Sequence, residues 1–310
     1  MKRSGYVLGI DTSNYKTSIA VTCGDSIIAD FRKFLEVKQG ERGLRQSEAL
    51  FQHVKNLPEL FEQLSAVAYS SRPRPVEGSY MPCFLAGENM ARSMAALLGV
   101  PAFAFSHQEG HIEAVRRFSG IDETRDFLAC HFSGGTCEVL KVKQNAEISN
   151  CAFDIEIIGG TKDISFGQVL DRAGVAMGME FPCGEEMDKI SLETASSANV
   201  LTPVKVSNAE LNLSGIDTQI KNLMGTVANE QLIKEIFDEL TDAICRMLIQ
   251  ASEKSGISEI IMAGGVSSSR YIRAEIEDKL KNLNIHFDDR NLASDNAVGI
   301  AFLGGRYSWD

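Results

Sequence analysis

Long apolar runs are missing from this chain, and none approaches the roughly 18 residues needed to cross a bilayer, which argues against a helical membrane span. Met1-Lys2-Arg3 is basic, but the apolar stretch Tyr6 to Ile10 behind it is too short for a secretory signal. Paired cysteines are missing as well. The seven cysteines (23, 83, 130, 137, 151, 183 and 245) are odd in number and scattered, with no C-x-x-C spacing. That excludes a disulfide framework and a cysteine-based structural zinc site, and it leads us to expect a cytoplasmic protein in a reducing compartment. Positive charge is in deficit too, with 31 Lys and Arg against 42 Asp and Glu for a formal charge of −11. Such a chain is a poor non-specific binder of nucleic acid, whose phosphates are held by Lys and Arg. A nucleic-acid substrate would need a local basic patch or a basic partner. Arg32, Lys33, Lys38, Arg42 and Arg45, joined by Arg72 and Arg74, are candidates for the patch. Because Glu36 and Glu41 interrupt the run, a solvated mixed-charge face describes it equally.

What is present is an ordinary globular composition, 44% hydrophobic and 24% charged, over 310 residues. Single cores rarely grow past about 250–300 residues, so two lobes are expected. Two stretches read as copies of one unit. Tyr6 to Asp11, Thr17 to Thr22 and Ser26 to Phe31 form one set of apolar, β-branched runs; Phe127 to Phe132, Cys137 to Val142 and Phe153 to Ile158 form the other. Each set is followed by a helical pattern, Ser47 to Leu64 (broken or kinked at Pro58) and Gly167 to Met179. A β-β-β-α order seen twice predicts duplicated lobes with a cleft between them, residues 1–122 and 123–310. Ser70 to Pro82, rich in proline, reads as an ordered loop. Ligands of open α/β sheets sit beyond the carboxyl ends of strands. The turns at 11–17, 133–136 and 263–269 all lie at such ends, the last behind a buried strand Glu259 to Ala263.

These turns carry the candidate chemistry. In Ser133-Gly134-Gly135-Thr136 two residues without Cβ let backbone N–H groups approach a phosphate, although glycine pairs also occur in plain hairpin turns. Asp11 stands at the matching place in the first unit, either orienting water or a metal or capping its own turn. Gly264 and Gly265 could seat a nucleoside against bare backbone, and Ser267 to Ser269 then contact ribose or cap the next helix. His107 and His111, spaced i and i+4, share one face of a helix, as a metal site or a hydrogen-bonded pair requires. Asp295 suits the place of a third ligand, and two imidazoles with one carboxylate and open positions fit iron or zinc. Glu109 lies off the histidine face, so the H-E-x-x-H pattern of zinc proteases is absent.

Gly9-Ile-Asp-Thr-Ser13, Gln52-His-Val-Lys-Asn-Leu-Pro58, Ser106-His-x-x-x-His111, Ser133-Gly-Gly135, Gly167-x-x-x-Asp171, Ala263-Gly-Gly-Val266 and Asp295-Asn-Ala297 resemble, in order and spacing, the TsaD family of tRNA threonylcarbamoyltransferases, once labelled glycoproteases or O-sialoglycoprotein endopeptidases. The resemblance implies two ribonuclease-H-like lobes of the actin, sugar-kinase and heat-shock-chaperone superfamily. It implies one divalent metal on His107, His111 and Asp295. It implies an adenine nucleotide or threonylcarbamoyl-AMP on His131, Phe132, Ser133, Gly134 and Gly135, with Asp171, Gly184 and the 263–269 turn (Gly264, Gly265, Ser269) at the nucleoside. The implied reaction moves threonylcarbamoyl to the adenosine beside a tRNA anticodon. The implied partners are a smaller homologous subunit and an ATPase or kinase-like subunit.

The chain departs from the family pattern at several places. Tyr15 and Lys16 stand where the family has an Asp-Glu pair, Asp11 replaces a glutamate, Thr136 a histidine, Cys183 a glycine and Ser269 an asparagine. Gly160 and Gln168 replace two more glutamates, and Arg72 to Pro82 replaces a G-P-G loop. With the acidic pair gone, Asp11 and Lys16 are the remaining catalytic candidates, Lys16 offering charge to a phosphate. Two readings follow, an active transferase or a re-purposed nucleotide- and metal-binding partner subunit. A metallopeptidase lacks its general base.

Overall fold

The computed structural model describes residues 6–13, 15–37, 43–57, 64–122, 125–144, 151–288, 292 and 297–308. Strands β1 (Tyr6–Asp11), β2 (Lys16–Cys23) and β3 (Ser26–Phe34) form an antiparallel meander. After helix α1 (Gln46–Asn56), β4 (Leu64–Arg72) returns parallel to β1; helix α2 (Phe84–Leu98) leads to β5 (Ala102–Ser106), parallel to β4, and helix α3 (His107–Ser119) follows. The sheet order is β3-β2-β1-β4-β5.

The pattern then repeats. Strands β6 (Phe127–Phe132), β7 (Cys137–Gln144) and β8 (Phe153–Thr161) form a second meander, closed by helix α4 (Phe166–Ala176). Helix α5 (Gly184–Glu193), the short strands β9 (Val206–Ser207) and β10 (Glu210–Leu211), and helices α6 (Ser214–Leu223) and α7 (Asn229–Ser255) come next. Strand β11 (Glu259–Ala263), helix α8 (Arg270–Lys279), strand β12 (Asn284–His286) and helix α9 (Val298–Ser308) complete the order. The second sheet runs β12-β11-β6-β7-β8-β10-β9, with β11 parallel to β6. The duplicated β-β-β-α order expected from the sequence is therefore present. Among the described residues no helix is long and apolar enough to cross a membrane.

Three expected boundaries move. Helix α1 ends at Asn56, and residues 58–63, with the anticipated break at Pro58, lie outside the described residues. The expected loop at 70–82 starts only at Pro73, because Ser70 and Arg72 pair with Phe105 and Ser106 on β5. Helix α4 stops at Ala176 rather than Met179, since Gly178 follows in the left-handed region at φ 92°.

Strand alternation decides what each sheet face covers. On β1, Leu8 and Ile10 join Val67 and Tyr69 of β4 in a core under α2. Val7 and Gly9 point the other way, onto α9. On β6, Leu128, Cys130 and Phe132 enter the largest core, with α4 and α7, while Phe127 and Ala129 face α3. The layers are thus α2, first sheet, α9 with α3, second sheet, α7. Helices α3 and α9 cross closely because Gly110 and Gly299 meet, and a Cβ on Gly299 would fall 1.9 Å from the Gly110 carbonyl oxygen.

Helix α3 is buried from Gln108 to Arg116 although its sequence is strongly polar. Burying polar groups is costly unless each is paired, and the pairs are there. Glu113 takes the Arg116 guanidinium at 2.7 and 3.0 Å. Glu109 completes a capping box with Ser106 and accepts from Ala152 N at 2.6 Å. A helix so built is held in one register between two sheets, which fixes where its two histidines point.

Candidate active site

Asp11 ends β1 on its inner face and is 1% exposed. One oxygen accepts from Ser13 N at 2.8 Å and Ser70 Oγ at 3.1 Å; the other meets His107 Nδ1 at 2.7 Å. The carboxylate thereby orients the ring, because an imidazole donating Nδ1–H keeps the Nε2 lone pair available for a metal. His107 Nε2 in turn lies 3.0 Å from His111 Nε2. Two lone pairs cannot face each other so closely without a proton or a cation between them. Two nitrogens bound at about 2.0–2.1 Å to one ion stand about 2.9–3.4 Å apart at octahedral to tetrahedral angles, so the donor pair fits a divalent ion. Asp295, the expected third ligand, lies outside the described residues.

The second half contributes backbone. Ser133 N donates to Thr136 O at 2.8 Å, and Ser133 Oγ accepts from Gly135 N at 3.4 Å and Thr136 N at 3.1 Å, which closes the turn. Ser165, the N-cap of α4, donates to Gly134 O at 2.7 Å, and a Cβ on Gly167 would strike Gly134 at 2.7 Å. The turn therefore sits on a helix N-terminus, which favours negative charge. Added Cβ atoms at Gly134, Gly135, Gly184 and Gly265 meet nothing within 4 Å, so these backbones border open space. Gly264 differs. At φ +91° its missing Cβ lets it lie against the Phe132 backbone, so packing alone requires glycine there.

Other expected residues have structural work. The Phe132 side chain is fully buried edge-on to Phe166, 5.3 Å between centroids, and only its backbone borders the site. Asp171, half-buried on α4, accepts from Cys183 N at 2.9 Å and so sets the loop before Gly184; burial holds its carboxyl above the usual range, against that N–H. Burial pushes the Cys183 thiol up to about 11. Ser269 accepts from Ile272 N at 3.1 Å as the cap of α8 and donates to Asp188, which also takes Arg270 N and Tyr271 N at 3.1 Å. The cap alternative for the serines is thus realised at Ser269. Asp188 was not singled out from the sequence; a helix start at Arg270 is visible there, but a carboxylate 82 residues away leaves no local signal. The Lys16 ammonium lies 4.7 Å from the centre of the ring of Phe34, its cross-strand neighbour.

Several contacts join the halves. Tyr15 packs edge-on to Phe181 at 5.2 Å, next to the Pro182-Cys183-Gly184 turn. Glu138 on β7 accepts from Gln108 at 2.9 Å and pairs with Arg74 at 2.6 Å. Arg72 donates to Ser71 Oγ at 3.1 Å and reaches Cys151 Sγ at 3.7 Å. Arg32 of the candidate basic patch pairs with Asp30 on the edge strand β3 at 2.6 Å, and Lys38 and Arg42 lie outside the described residues.

Two stacked sheets of repeated topology, with a glycine turn on a helix N-terminus in one and an imidazole pair beside the other, define the actin-like ATPase and sugar-kinase fold. Solved structures of that class superpose on the chain. HypF of T. kodakarensis does so with a TM-score of 0.64 at 14% identity, over 99% of this chain and 48% of that one. Component A of the Acidaminococcus fermentans (R)-2-hydroxyglutaryl-CoA dehydratase gives 0.58 at 13% identity, over 99% and 100%. A ROK family glucokinase from Streptomyces griseus, solved with glucose and AMPPNP, gives 0.52 at 14% identity, over 97% and 100%. Within that class the chain belongs to the TsaD family, tRNA N6-adenosine threonylcarbamoyltransferase, whose profile matches residues 49–302. Relatives of that name are 29% identical in Neorickettsia sennetsu, over 96% of this chain and 92% of that protein, and 25% identical in Thermus thermophilus, over 98% and 92%. The family is one of transferases.

Proposed function

We propose that this chain transfers threonylcarbamoyl from threonylcarbamoyl-AMP to the N6 of a tRNA adenosine, with a divalent iron or zinc ion on His107 and His111. The observation that carries the reading is the Asp11–His107–His111 row, with contacts of 2.7 and 3.0 Å, ending beside a glycine turn seated on a helix N-terminus. In it, Asp11 is a positioning residue that fixes the His107 tautomer. The amides of Gly134 and Gly135 and the start of α4 hold the phosphate of the adenylate, and the open backbone at Gly184 and Gly265 takes its nucleoside. The bound ion would act as a Lewis acid on the carbamoyl carbonyl. A smaller homologous subunit and an ATPase or kinase-like subunit are the partners this reading assigns, and a basic partner would help an acidic chain to hold tRNA.

Tyr15 and Lys16 favour a second reading, a re-purposed binding subunit. Side chains that stand where the family has acids are packed on Phe181 and Phe34. The test is transfer by purified chain supplied with Fe2+ or Zn2+, threonylcarbamoyl-AMP and unmodified tRNA, read by mass spectrometry of the digested nucleosides. Modified adenosine that disappears in His107→Ala supports transfer. Bound adenylate and metal with no product, even with the partner subunits added, overturns it in favour of the second reading.

A further inference from the structure

We propose that Arg74 is a specificity residue, which holds the free carboxylate of the acyl group and so selects a carbamoyl that carries an amino acid. This rests on the reading that the chain binds threonylcarbamoyl-AMP. It deepens that reading, because Arg74 belongs to the stretch Arg72 to Pro82 that stands in place of a G-P-G loop.

The substrate sets the problem. In threonylcarbamoyl-AMP the threonine nitrogen is part of the carbamoyl group, so the amino acid keeps a free carboxylate. That charge lies at the far end of the acyl group from the phosphate, which the amides of Gly134 and Gly135 would seat. It calls for a cation of its own, and a planar guanidinium matches a carboxylate with two parallel N–H donors.

The loop is built to fix such a group. Pro73 O accepts from Gln108 N at 3.1 Å, which ties the loop to the first turn of α3, one residue beyond His107. Arg74 N donates to Ser79 Oγ at 3.0 Å, and Ser79 N to Val76 O at 3.2 Å, so residues 74–79 close on themselves. Pro75 further restricts the backbone of Arg74. The side chain then crosses to the second half, where Nη2 meets Glu138 Oε1 at 2.6 Å. The other oxygen of Glu138 accepts from Gln108 Nε2 at 2.9 Å. Glu138 is the cross-strand partner of His131, and residues so opposed share a face of the sheet. On β6, Phe127 and Ala129 face α3, so by alternation His131 does as well. His131 is 4% exposed, and its ring centre lies 4.8 Å from that of His111. The ion pair therefore stands on the face that carries the imidazoles, two residues beyond Thr136 of the glycine turn.

Glu138 orients the guanidinium without using it up. Because Gln108 takes one carboxylate oxygen, Glu138 engages a single edge of the fork, and the Arg74 side chain stays 42% exposed with donors left for a ligand. Arg72, the other arginine of the loop, is turned to Ser71 and Cys151 instead.

The experiment is calorimetry on the full chain with two stable analogues of threonylcarbamoyl-AMP, each with a sulfamoyl link in place of the phosphate. One keeps the threonine carboxylate and the other has a neutral carboxamide there. The unmutated chain is expected to prefer the carboxylate compound by about tenfold, the worth of a charge-assisted hydrogen bond. Arg74→Gln is expected to bind the two alike. Arg74→Lys keeps a charge beside Glu138 but not the fork, and should lose most of the preference; circular dichroism checks that both variants fold. A preference retained in both variants overturns the role of Arg74 and leaves the transferase reading standing. An unmutated chain that binds an ATP analogue but neither acyl compound overturns that reading, and this inference with it.

Discussion

The two central strands β1 and β6 occupy equivalent places in their halves, yet they end in opposite kinds of chemistry. The first ends in a buried carboxylate engaged to a backbone amide, a serine and His107. The second ends in a turn of two glycines whose Cβ positions face open space. One half therefore works through side chains that orient other side chains, and the other through main-chain amides and a helix dipole. A duplicated backbone supplies two strand ends at one layer, and on the reading proposed above the residues placed on them decide which takes a cation and which an anion. Removing a single function should accordingly leave the other half able to bind its own ligand.

The sharpest way to break the comparison is to remove the packing under one strand end. Phe132→Ala empties a fully buried ring position against Phe166 and is expected to cost about 3–5 kcal/mol in urea unfolding, with adenine-nucleotide affinity falling as the turn loosens. A nucleotide affinity that survives this loss would show the turn to be held by something other than α4. Next in size are two substitutions that should separate the halves. Asp11→Ala leaves the His107 Nδ1–H without its acceptor, at about 1–3 kcal/mol and a metal affinity lower by about tenfold or more, with nucleotide binding retained. Gly134→Ala meets no clash and should fold normally, yet lose about tenfold in nucleotide affinity, roughly 1.4 kcal/mol, with metal binding retained. Calorimetric titration of both variants with ATP analogue and Zn2+ checks the crossing, and a variant that loses both ligands would erase the distinction.

The smallest effect is a pH slope. Burial raises the Asp171 pKa, so the folded chain holds that proton more tightly than the unfolded chain. The stabilisation this provides is complete below the ordinary aspartate pKa and is lost as pH rises through the raised folded value. Asp171→Asn removes that slope, so relative to the unmutated chain it should fare better at pH 7 than at pH 4. Urea midpoints of the two proteins at both values measure it. An identical difference at both pH values would mean that Asp171 titrates as it does unfolded.

Much of the frame was legible in the amino-acid order, because strands and helices announce themselves by local periodicity. Five of the expected strands start where they were read, at Tyr6, Ser26, Phe127, Cys137 and Phe153, and the Glu259 to Ala263 strand matches at both ends. The helix placing His107 and His111 on one face was equally visible, although its cap by Ser106 and Glu109 was not singled out. Other features were not. The cap read as one alternative for the serines falls on Ser269, but its tie to Asp188 had no local signal. Lys16 was read for its charge alone, and the contact of its ammonium with the cross-strand ring of Phe34 depends on pairing that no local pattern announces.

His131 shows where the division falls. Alternation along a strand, readable from the residue order alone, separates its side from that of Phe132. Which partner waits on that side depends on α3 being wedged against α9 and the second sheet, an arrangement set by close approach of distant glycines and by buried ion pairs. Periodicity is a property of neighbours along the chain, and so the sequence by itself determined the elements and their faces. Meetings such as Asp11 with His107, or Tyr15 with Phe181, depend on how whole layers stack, and only the tertiary structure could decide them.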